Sequence, residues 1–186
     1  HLYMPWWVDN KTLNFPRGYH IEIWGGMGMP EYGFMGGIQS YPPGGGYGAS
    51  LKNDYRRYYG AGIGFSGRGE MIPNEDSYCE LDTRTVDQWG IPVLRFHWKW
   101  SDHEYEQTRH MQQTFRTLLA EMGAVVDSTM PTRAQGYGIS VGGSIIHEVG
   151  GTRMGASAST SVLNAKGQAW DCKNLFVADG GPFVTQ

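Results

Sequence analysis

The chain has 186 residues, of which 40% are hydrophobic and 18% are charged, a balance typical of a globular protein rather than a disordered one. Its formal net charge of −3 gives no electrostatic reason to expect nucleic acid or an anionic membrane surface as a partner. No apolar run approaches the length that spans a bilayer, so no membrane span is predicted. Two cysteines, Cys79 and Cys172, do not decide the redox compartment, and the localisation stays open.

The first part of the chain predicts two strands on either side of a long loop. Residues 1–18 show no hydrophobic period and indicate irregular structure, whereas residues 19–24 alternate and predict a half-buried strand. Residues 25–50 interleave glycines and prolines with aromatic residues, which predicts a long loop that we expect to line a pocket. Residues 61–71 alternate again and predict a strand with glycine bulges. The aromatic residues of the loop include Tyr32, Phe34, Tyr41 and Tyr47.

Two further strands are predicted downstream. Residues 78–81 indicate a short strand, and residues 91–100 give the clearest alternation in the chain, with one apolar and one charged face. Strands with one apolar face are typical of antiparallel sheets. The apolar face of the clearest strand holds Leu94, Phe96, Trp98 and Trp100.

A helix is predicted to begin at a capping box. Ser101 can cap the first turn while Glu104, three residues later, reaches back to the cap. The apolar stripe that follows predicts a helix to about Met122, where the next residue, a glycine, is placed to end it. Residues 124–126 predict a short strand and residues 131–138 a loop. The order of elements predicts an α+β fold, with an antiparallel sheet and a helix on one face.

Two sequence patterns resemble known sites on letters alone. The glycines of residues 62–67 match G-x-G-x-x-G, but they lie within a predicted strand and no helix follows, so a dinucleotide site is not predicted. His147 and Glu148 begin like the zinc motif H-E-x-x-H, but Gly151 stands where the second histidine belongs. No metal is predicted. A G-x-S-x-G elbow is absent from the sequence, which disfavours an α/β-hydrolase.

His147 and the Asp179-Gly180 turn are the candidate functional residues. A histidine that follows two isoleucines is often a hydrogen-bonded core residue, but glycine pairs on both sides allow the backbone to approach a bound molecule. Imidazole suits the removal of a hydroxyl proton while a neighbouring C–H bond breaks. Residues 174–178 read as a buried apolar run that leads into the turn. On chemistry alone, both interpretations of His147 stay open.

Each of two stretches near the end of the chain carries a specific motif. The first is His147-x-x-Gly150-x-x-Arg153-Met154-Gly155, and the second, residues 174–180, reads Asn-Leu-Phe-Val-Ala-Asp-Gly. Together they resemble the C-terminal signature of the glucose–methanol–choline (GMC) oxidoreductases, flavin-dependent dehydrogenases and oxidases of alcohols and sugars. Residues 67–71 and the strand after Gly90 are similar to the substrate-domain sheet of members related to sugar-acid and fructose dehydrogenases.

The resemblance implies a flavin site with FAD as the cofactor. In the family, the histidine that matches His147 takes the substrate hydroxyl proton while hydride passes to the flavin. The residues that match Asp179 and Gly180 contact the phosphate and ribityl region of FAD. The family's Asp-Gly turn leads into a helix whose N-terminus points at the flavin, where the positive end of the dipole stabilises the anion formed on reduction.

The resemblance also implies two domains. Residues 1–140 correspond to the substrate-binding domain, and residues 141–186 to the returning segment of an FAD-binding, Rossmann-like domain that is otherwise missing. The family's second catalytic residue, a histidine or asparagine, would fall beyond Gln186, and the N-terminal glycine loop for the ADP half is absent from the sequence. We therefore expect a C-terminal fragment of a longer polypeptide, which alone neither binds flavin well nor turns over.

The predicted function of the parent protein is oxidation of a CH–OH group in a sugar, polyol or other alcohol. Hydride passes to FAD and His147 accepts the proton. The expected partners are this small-molecule substrate and an electron-acceptor subunit. A non-enzymatic carbohydrate-binding module, built on the aromatic and glycine-rich loops, is the alternative from another class. A non-catalytic paralogue that keeps the fold is a second alternative.

Overall fold

The computed structural model describes residues 2–5, 8, 10–25, 48–126, 128–145 and 147–185. They form an α+β fold, as predicted, in two compact units: the first holds His1–Val8 and Tyr19–Arg68, and the second Asp9–Gly18 and Gly69–Gln186. The strands belong to two separate sheets instead of the single sheet that was expected. The predicted division at residue 140 concerns the domains of a whole protein and stays a prediction.

The first unit is built around a three-stranded sheet in the order β1-β2-β3. Strand β1 (Leu2–Met4) pairs antiparallel with β2 (Tyr19–Gly25), and β3 (Ile63–Gly69) lies on the other side of β2. Strand β2 confirms the predicted alternation, since Tyr19 and Ile21 are buried and the residues between and after them are not. The prediction of irregular structure was wrong for β1, because three residues are too few to display a period.

Helix α1 (Ala49–Tyr58) was not predicted. None of its residues is buried, so no apolar stripe marks it in the sequence. Local interactions support it instead: Arg56 and Arg57 lie at the negative end of its dipole, and the Tyr55 and Tyr59 rings stack with centroids 4.8 Å apart. The predicted loop therefore ends before Ala49. The rest of that prediction, including the four aromatic residues expected to line a pocket, falls on residues 26–47, outside the described part of the chain.

The second unit contains a two-stranded antiparallel ribbon of β4 (Tyr78–Val86) and β5 (Pro92–His97), called here the β4–β5 ribbon. Strand β4 is longer than the predicted residues 78–81, and β5 is shorter than the predicted residues 91–100. Leu81 lies opposite Leu94. Both of these side chains are exposed, at 62% and 56% respectively. The predicted apolar face exists, but it is not covered by the described part of the chain.

Helix α2 (Asp102–Glu121) confirms the predicted helix and its start. The Ser101 N–H donates to Glu104 Oε2 over 2.7 Å, as a capping box requires. Glu104 is nevertheless buried, because its Oε1 accepts the Ile72 N–H at 3.1 Å. Gln107, also buried, donates to the Gly18 carbonyl over 3.0 Å. The inner face of α2 is therefore polar over its first turns, and these bonds tie it to the two segments beside it.

The segment after α2 departs from the sequence predictions. Gly123 ends the helix with φ +70°, as expected. Residues 124–126 do not form the predicted strand, because the Ala124 N–H turns back to the Leu119 carbonyl at 2.9 Å and Val125 is 94% exposed. The predicted loop at residues 131–138 contains 3₁₀ turns within Arg133–Gly138, interrupted by a kink where Gly136 and Tyr137 have positive φ. Within the described residues, no helix has the length and apolar character needed to cross a membrane.

Candidate active site

The segment that leads to His147 is held by two tryptophans that follow β5. Trp100 Nε1 donates to the Ser140 carbonyl over 3.0 Å, and the Trp98 and Trp100 rings meet edge to face at 5.3 Å. A Cβ built on Gly142 would lie 2.6 Å from Trp98 Cδ1, so the backbone approaches the indole ring as only glycine allows. The sequence suggested that the backbone at this glycine approaches a bound molecule. In the structure, the backbone of Gly142 approaches Trp98 of the same chain instead.

The His147 side chain is exposed. Among the described residues, no hydrogen bond or ion pair engages its imidazole ring. Gly143 and Gly151, on either side, have open space where a side chain would be. An exposed imidazole next to open backbone is accessible to a bound molecule.

Asp179 and Gly180 form a turn whose geometry is fixed by its own hydrogen bonds. Asp179 Oδ1 accepts the Gly181 N–H at 2.7 Å, and the Phe183 N–H donates to the Gly180 carbonyl over 3.2 Å. Asp179 is exposed. The described residues that follow, to residue 185, form turns and do not begin the helix that the resemblance implied.

The two motif stretches lie against each other. A Cβ built on Gly180 would be 3.5 Å from the Glu148 carbonyl oxygen, which belongs to the residue next to His147. Beyond that contact the backbones pair: the Thr152 N–H donates to the Gly181 carbonyl at 3.2 Å, and the Met154 N–H to the Pro182 carbonyl at 2.9 Å. The two stretches that carry the predicted site residues are thus paired by backbone hydrogen bonds, although they are far apart in sequence.

Arg153 anchors the opposite side of the first stretch. Its carbonyl accepts the N–H groups of Val162 and Leu163 at 3.1 and 3.3 Å, and its guanidinium donates twice to the Thr160 carbonyl, from Nε over 3.1 Å and from Nη2 over 3.0 Å. Leu163 is fully buried. Residues 152–154 therefore lie between the Asp-Gly turn and a packed segment, which limits their freedom to move.

The run at residues 174–178 is not buried as the sequence suggested. Leu175 and Phe176 are 51% and 58% exposed. The backbone of the run is nevertheless paired, since the Ala169 N–H donates to the Leu175 carbonyl at 3.0 Å and the Val177 N–H to the Gly167 carbonyl at 2.9 Å. The prediction of a buried run was therefore wrong for these two side chains, because apolar residue types alone do not reveal what the rest of the chain covers.

Sequence reasoning missed Thr152. Its hydroxyl oxygen is buried and has no hydrogen-bond partner among the described residues, and it lies against the bare face of Gly181. The only signal in the sequence was its position inside the motif from His147 to Gly155. Nowhere in the described ranges do three metal-ligating side chains cluster.

Comparison with known proteins identifies the protein family of the chain. Residues 73–186 match the family model for GMC oxidoreductase. Because the match covers more than half of the chain, the chain belongs to the GMC oxidoreductase family, in which FAD is the typical cofactor. The resemblance drawn from the two motifs is confirmed.

Two curated relatives are similar to the chain at low identity. One is a 2-methyl-1,2-propanediol dehydrogenase from Mycolicibacterium austroafricanum, 25% identical over 178 residues, or 95% of this chain and 30% of the relative. Another is a gluconate 2-dehydrogenase flavoprotein from Pantoea cypripedii, 25% identical over 140 residues, or 74% of this chain and 22% of the relative. The chain therefore spans less than a third of the length of either.

Proposed function

We propose that the chain is the C-terminal part of an FAD-dependent oxidoreductase that oxidises a CH–OH group of a sugar, polyol or other alcohol. The observation that carries the proposal is the contact between the two motif stretches, with Gly180 against Glu148 and Thr152 paired to Gly181. The exposed imidazole of His147 and the exposed carboxylate of Asp179 therefore belong to two stretches of the second unit that contact each other.

The residues at the turn fit the phosphate and ribityl part of FAD. Gly180 and Gly181 present backbone without side chains, so a ligand can approach it closely. Asp179 is exposed and offers carboxylate oxygens to ligand hydroxyl groups. On this proposal, residues 141–186 are the FAD-binding segment of the protein.

The chemistry assigned to His147 is proton removal. When bound, FAD supplies the acceptor for the hydride that leaves the substrate carbon. A ring nitrogen of His147 takes the hydroxyl proton, so the substrate loses one proton and one hydride and its C–O single bond becomes a carbonyl. The exposed ring and the open space at Gly143 and Gly151 support a substrate at this position.

The test is His147→Ala in the full-length enzyme. We expect the rate of flavin reduction to fall by about 10²–10⁴-fold, which is the usual contribution of a general base. Bound FAD per protein should stay unchanged, because His147 is assigned to substrate and not to the turn. Anaerobic stopped-flow absorbance of the flavin measures the rate, and the absorbance spectrum measures the cofactor content.

His97→Ala is the matched control. His97 lies on the β4–β5 ribbon, where its ring stacks on Tyr78 with centroids 4.3 Å apart and its Nε2 is 2.9 Å from Glu80 Oε1. Its replacement should leave flavin reduction unchanged. Equal rates in His147→Ala and the parent would refute the base assignment. If the parent protein binds FAD but none of the alcohols tested reduces the flavin, the result would support a non-catalytic paralogue.

The substrate class and the electron acceptor belong to the same proposal. The dehydrogenase names of both relatives support an alcohol or sugar-acid substrate, so 2-methyl-1,2-propanediol and gluconate are the first probes. The name of the second relative, a dehydrogenase flavoprotein, supports an electron-acceptor subunit as partner. Membership of an oxidoreductase family favours the enzyme over the carbohydrate-binding module, whose expected aromatic loop lies outside the described residues.

A further inference from the structure

The backbone around Trp98 and Trp100 is fixed by hydrogen bonds. Lys99, which lies between them, donates its N–H to Ser77 Oγ at 3.1 Å, and its carbonyl accepts from the same hydroxyl at 3.2 Å. The Asn74 side chain donates to that carbonyl as well, over 3.1 Å. The residue after Trp100 caps α2. Because the backbone on both sides of the two indole rings is bonded, the rings offer a fixed surface.

The turn of residues 141–144 lies on this surface through its backbone. Trp100 Nε1 donates to the carbonyl of the residue that precedes the turn, over 3.0 Å, and the Trp98 ring lies against the bare face of Gly142. The turn gains little from burial of its own side chains, since Val141 is 76% exposed. The two tryptophans therefore fix the backbone of the turn by one hydrogen bond and one close ring contact.

His147 lies between this turn and a second anchor. It follows the turn by three residues, and the residue after it, Glu148, lies against Gly180 of the other motif stretch. A general base must be within hydrogen-bond reach of the proton that it removes, and a displacement of about 1 Å can cost about 10²-fold in rate. The place of the imidazole thus depends on both anchors.

We propose that Trp98 and Trp100 are positioning residues, which fix the turn of residues 141–144 and thereby hold His147 within reach of the substrate hydroxyl proton. The inference rests on the proposed function, which assigns proton removal to His147. Trp100 acts through its indole N–H, and Trp98 acts through the face of its ring. Loss of either contact slows proton removal and leaves FAD binding intact, because the turn at Asp179 is fixed by its own hydrogen bonds.

The test is Trp100→Phe in the full-length enzyme. Phenylalanine keeps an aromatic ring and removes the Nε1–H donor to the Ser140 carbonyl. The probe is gluconate or 2-methyl-1,2-propanediol, whichever reduces the flavin of the parent faster. At saturating probe, the rate of flavin reduction should fall by about 10–10²-fold, whereas the half-saturating concentration and the bound FAD should stay unchanged. Anaerobic stopped-flow absorbance measures all three.

Trp89→Phe is the matched control. This tryptophan lies in the connection of the β4–β5 ribbon and is 76% exposed, so the same substitution there should leave flavin reduction unchanged. A Trp100→Phe variant that reduces its flavin like the parent would overturn the inference.

Combination with His147→Ala separates a positioning role from a general loss of structure. If Trp100 acts through His147, Trp100→Phe should cost nothing further once the imidazole is gone. An equal loss in both backgrounds would overturn the inference alone, whereas a His147→Ala variant as fast as the parent would overturn the proposed base as well. Gly142→Ala tests the Trp98 contact and replaces Trp100→Phe if that variant does not fold. Its Cβ would lie 2.5 Å from Trp98 Cγ, so it must displace the turn and show the same loss and the same coupling.

Discussion

The β4–β5 ribbon and the segment of residues 148–183, called here the C-terminal segment, reverse the usual association of regular structure with burial. The ribbon has a paired antiparallel ladder, yet Leu81, Leu94 and Phe96 on its apolar face are 62%, 56% and 60% exposed. The C-terminal segment has only isolated bridges between its turns, yet Leu163 and Ala169 within it are 0% and 6% exposed. Regular pairing and core formation therefore lie in different parts of the second unit.

The difference comes from the range of the interactions. The ribbon is stabilised by neighbours across a short connection, such as the stacked pair of Tyr78 and His97. The C-terminal segment depends on bonds between residues distant in sequence, such as Thr152 to Gly181 and Met154 to Pro182. The candidate site is made of these distant bonds, and Arg153 and Gly155 within it bond to the buried Leu163.

The largest expected difference between the two regions is a loss of core packing. In the 186-residue chain, Leu163→Ala should lower the free energy of unfolding by about 2–5 kcal/mol, because it leaves a cavity around a fully buried position. Leu94→Ala, the same change on the exposed face of the ribbon, should cost no more than about 0.5 kcal/mol. Urea unfolding followed by tryptophan fluorescence measures both.

Similar losses in the two leucine variants would contradict this difference between the ribbon and the C-terminal segment. They would mean that the apolar face of the ribbon is as well covered in solution as Leu163 is. A change in the slope of the unfolding curve, without a shift in its midpoint, would instead indicate a change in the compactness of the unfolded or the native chain, or a loss of two-state behaviour.

A smaller effect is expected at the turn of the candidate site. Gly181→Ala should cost about 1–3 kcal/mol, because its Cβ would collide with the Thr152 hydroxyl and crowd Asp179 Oδ1. Gly151→Ala is the control, since nothing lies within 4 Å of its added Cβ, and it should be nearly neutral. Thermal unfolding gives the stability of each variant. Two neutral variants would show that the contact of the two stretches is loose.

The sequence predicted best what is local. The capping box of Ser101 and Glu104 placed the start of α2, because the four residues from Ser101 to Glu104 contain all of its chemistry. Strand β2 was predicted from its own alternation. Helix α1 was missed because none of its side chains is buried, so it has no apolar period to detect. Burial depends on what the rest of the chain covers, which a local pattern does not contain.

The candidate site was predicted from its motifs and not from periodicity. His147 and the Asp179-Gly180 turn were found because their wording resembles a family, and the structure brings their stretches into contact. Thr152 was missed because a threonine between glycine and arginine has no signal of its own. Its interest arises only from Gly181, a residue distant in sequence that packs against its hydroxyl.

The smallest expected effect concerns the ribbon, where it tests whether local hydrogen bonds alone hold an exposed element in place. Asp82 lies in the irregular part of β4, where its Oδ1 accepts the N–H groups of Arg84 at 2.8 Å and Thr85 at 2.9 Å. These backbone hydrogen bonds, helped by the positive charge of Arg95, lower the pKa of Asp82 below its ordinary value of 3.8. A lowered pKa in the folded chain means that the ionised carboxylate stabilises the fold. Its contribution is therefore complete above the ordinary pKa and is lost as the pH falls through the lowered one.

We expect the carboxyl carbon of Asp82 to titrate by NMR with a midpoint below 3.8, and the stability advantage over Asp82→Asn to shrink between about pH 7 and about pH 3. A midpoint at or above the ordinary value would mean that these bonds are not kept in solution, and that the ribbon is less ordered than its regular pairing suggests.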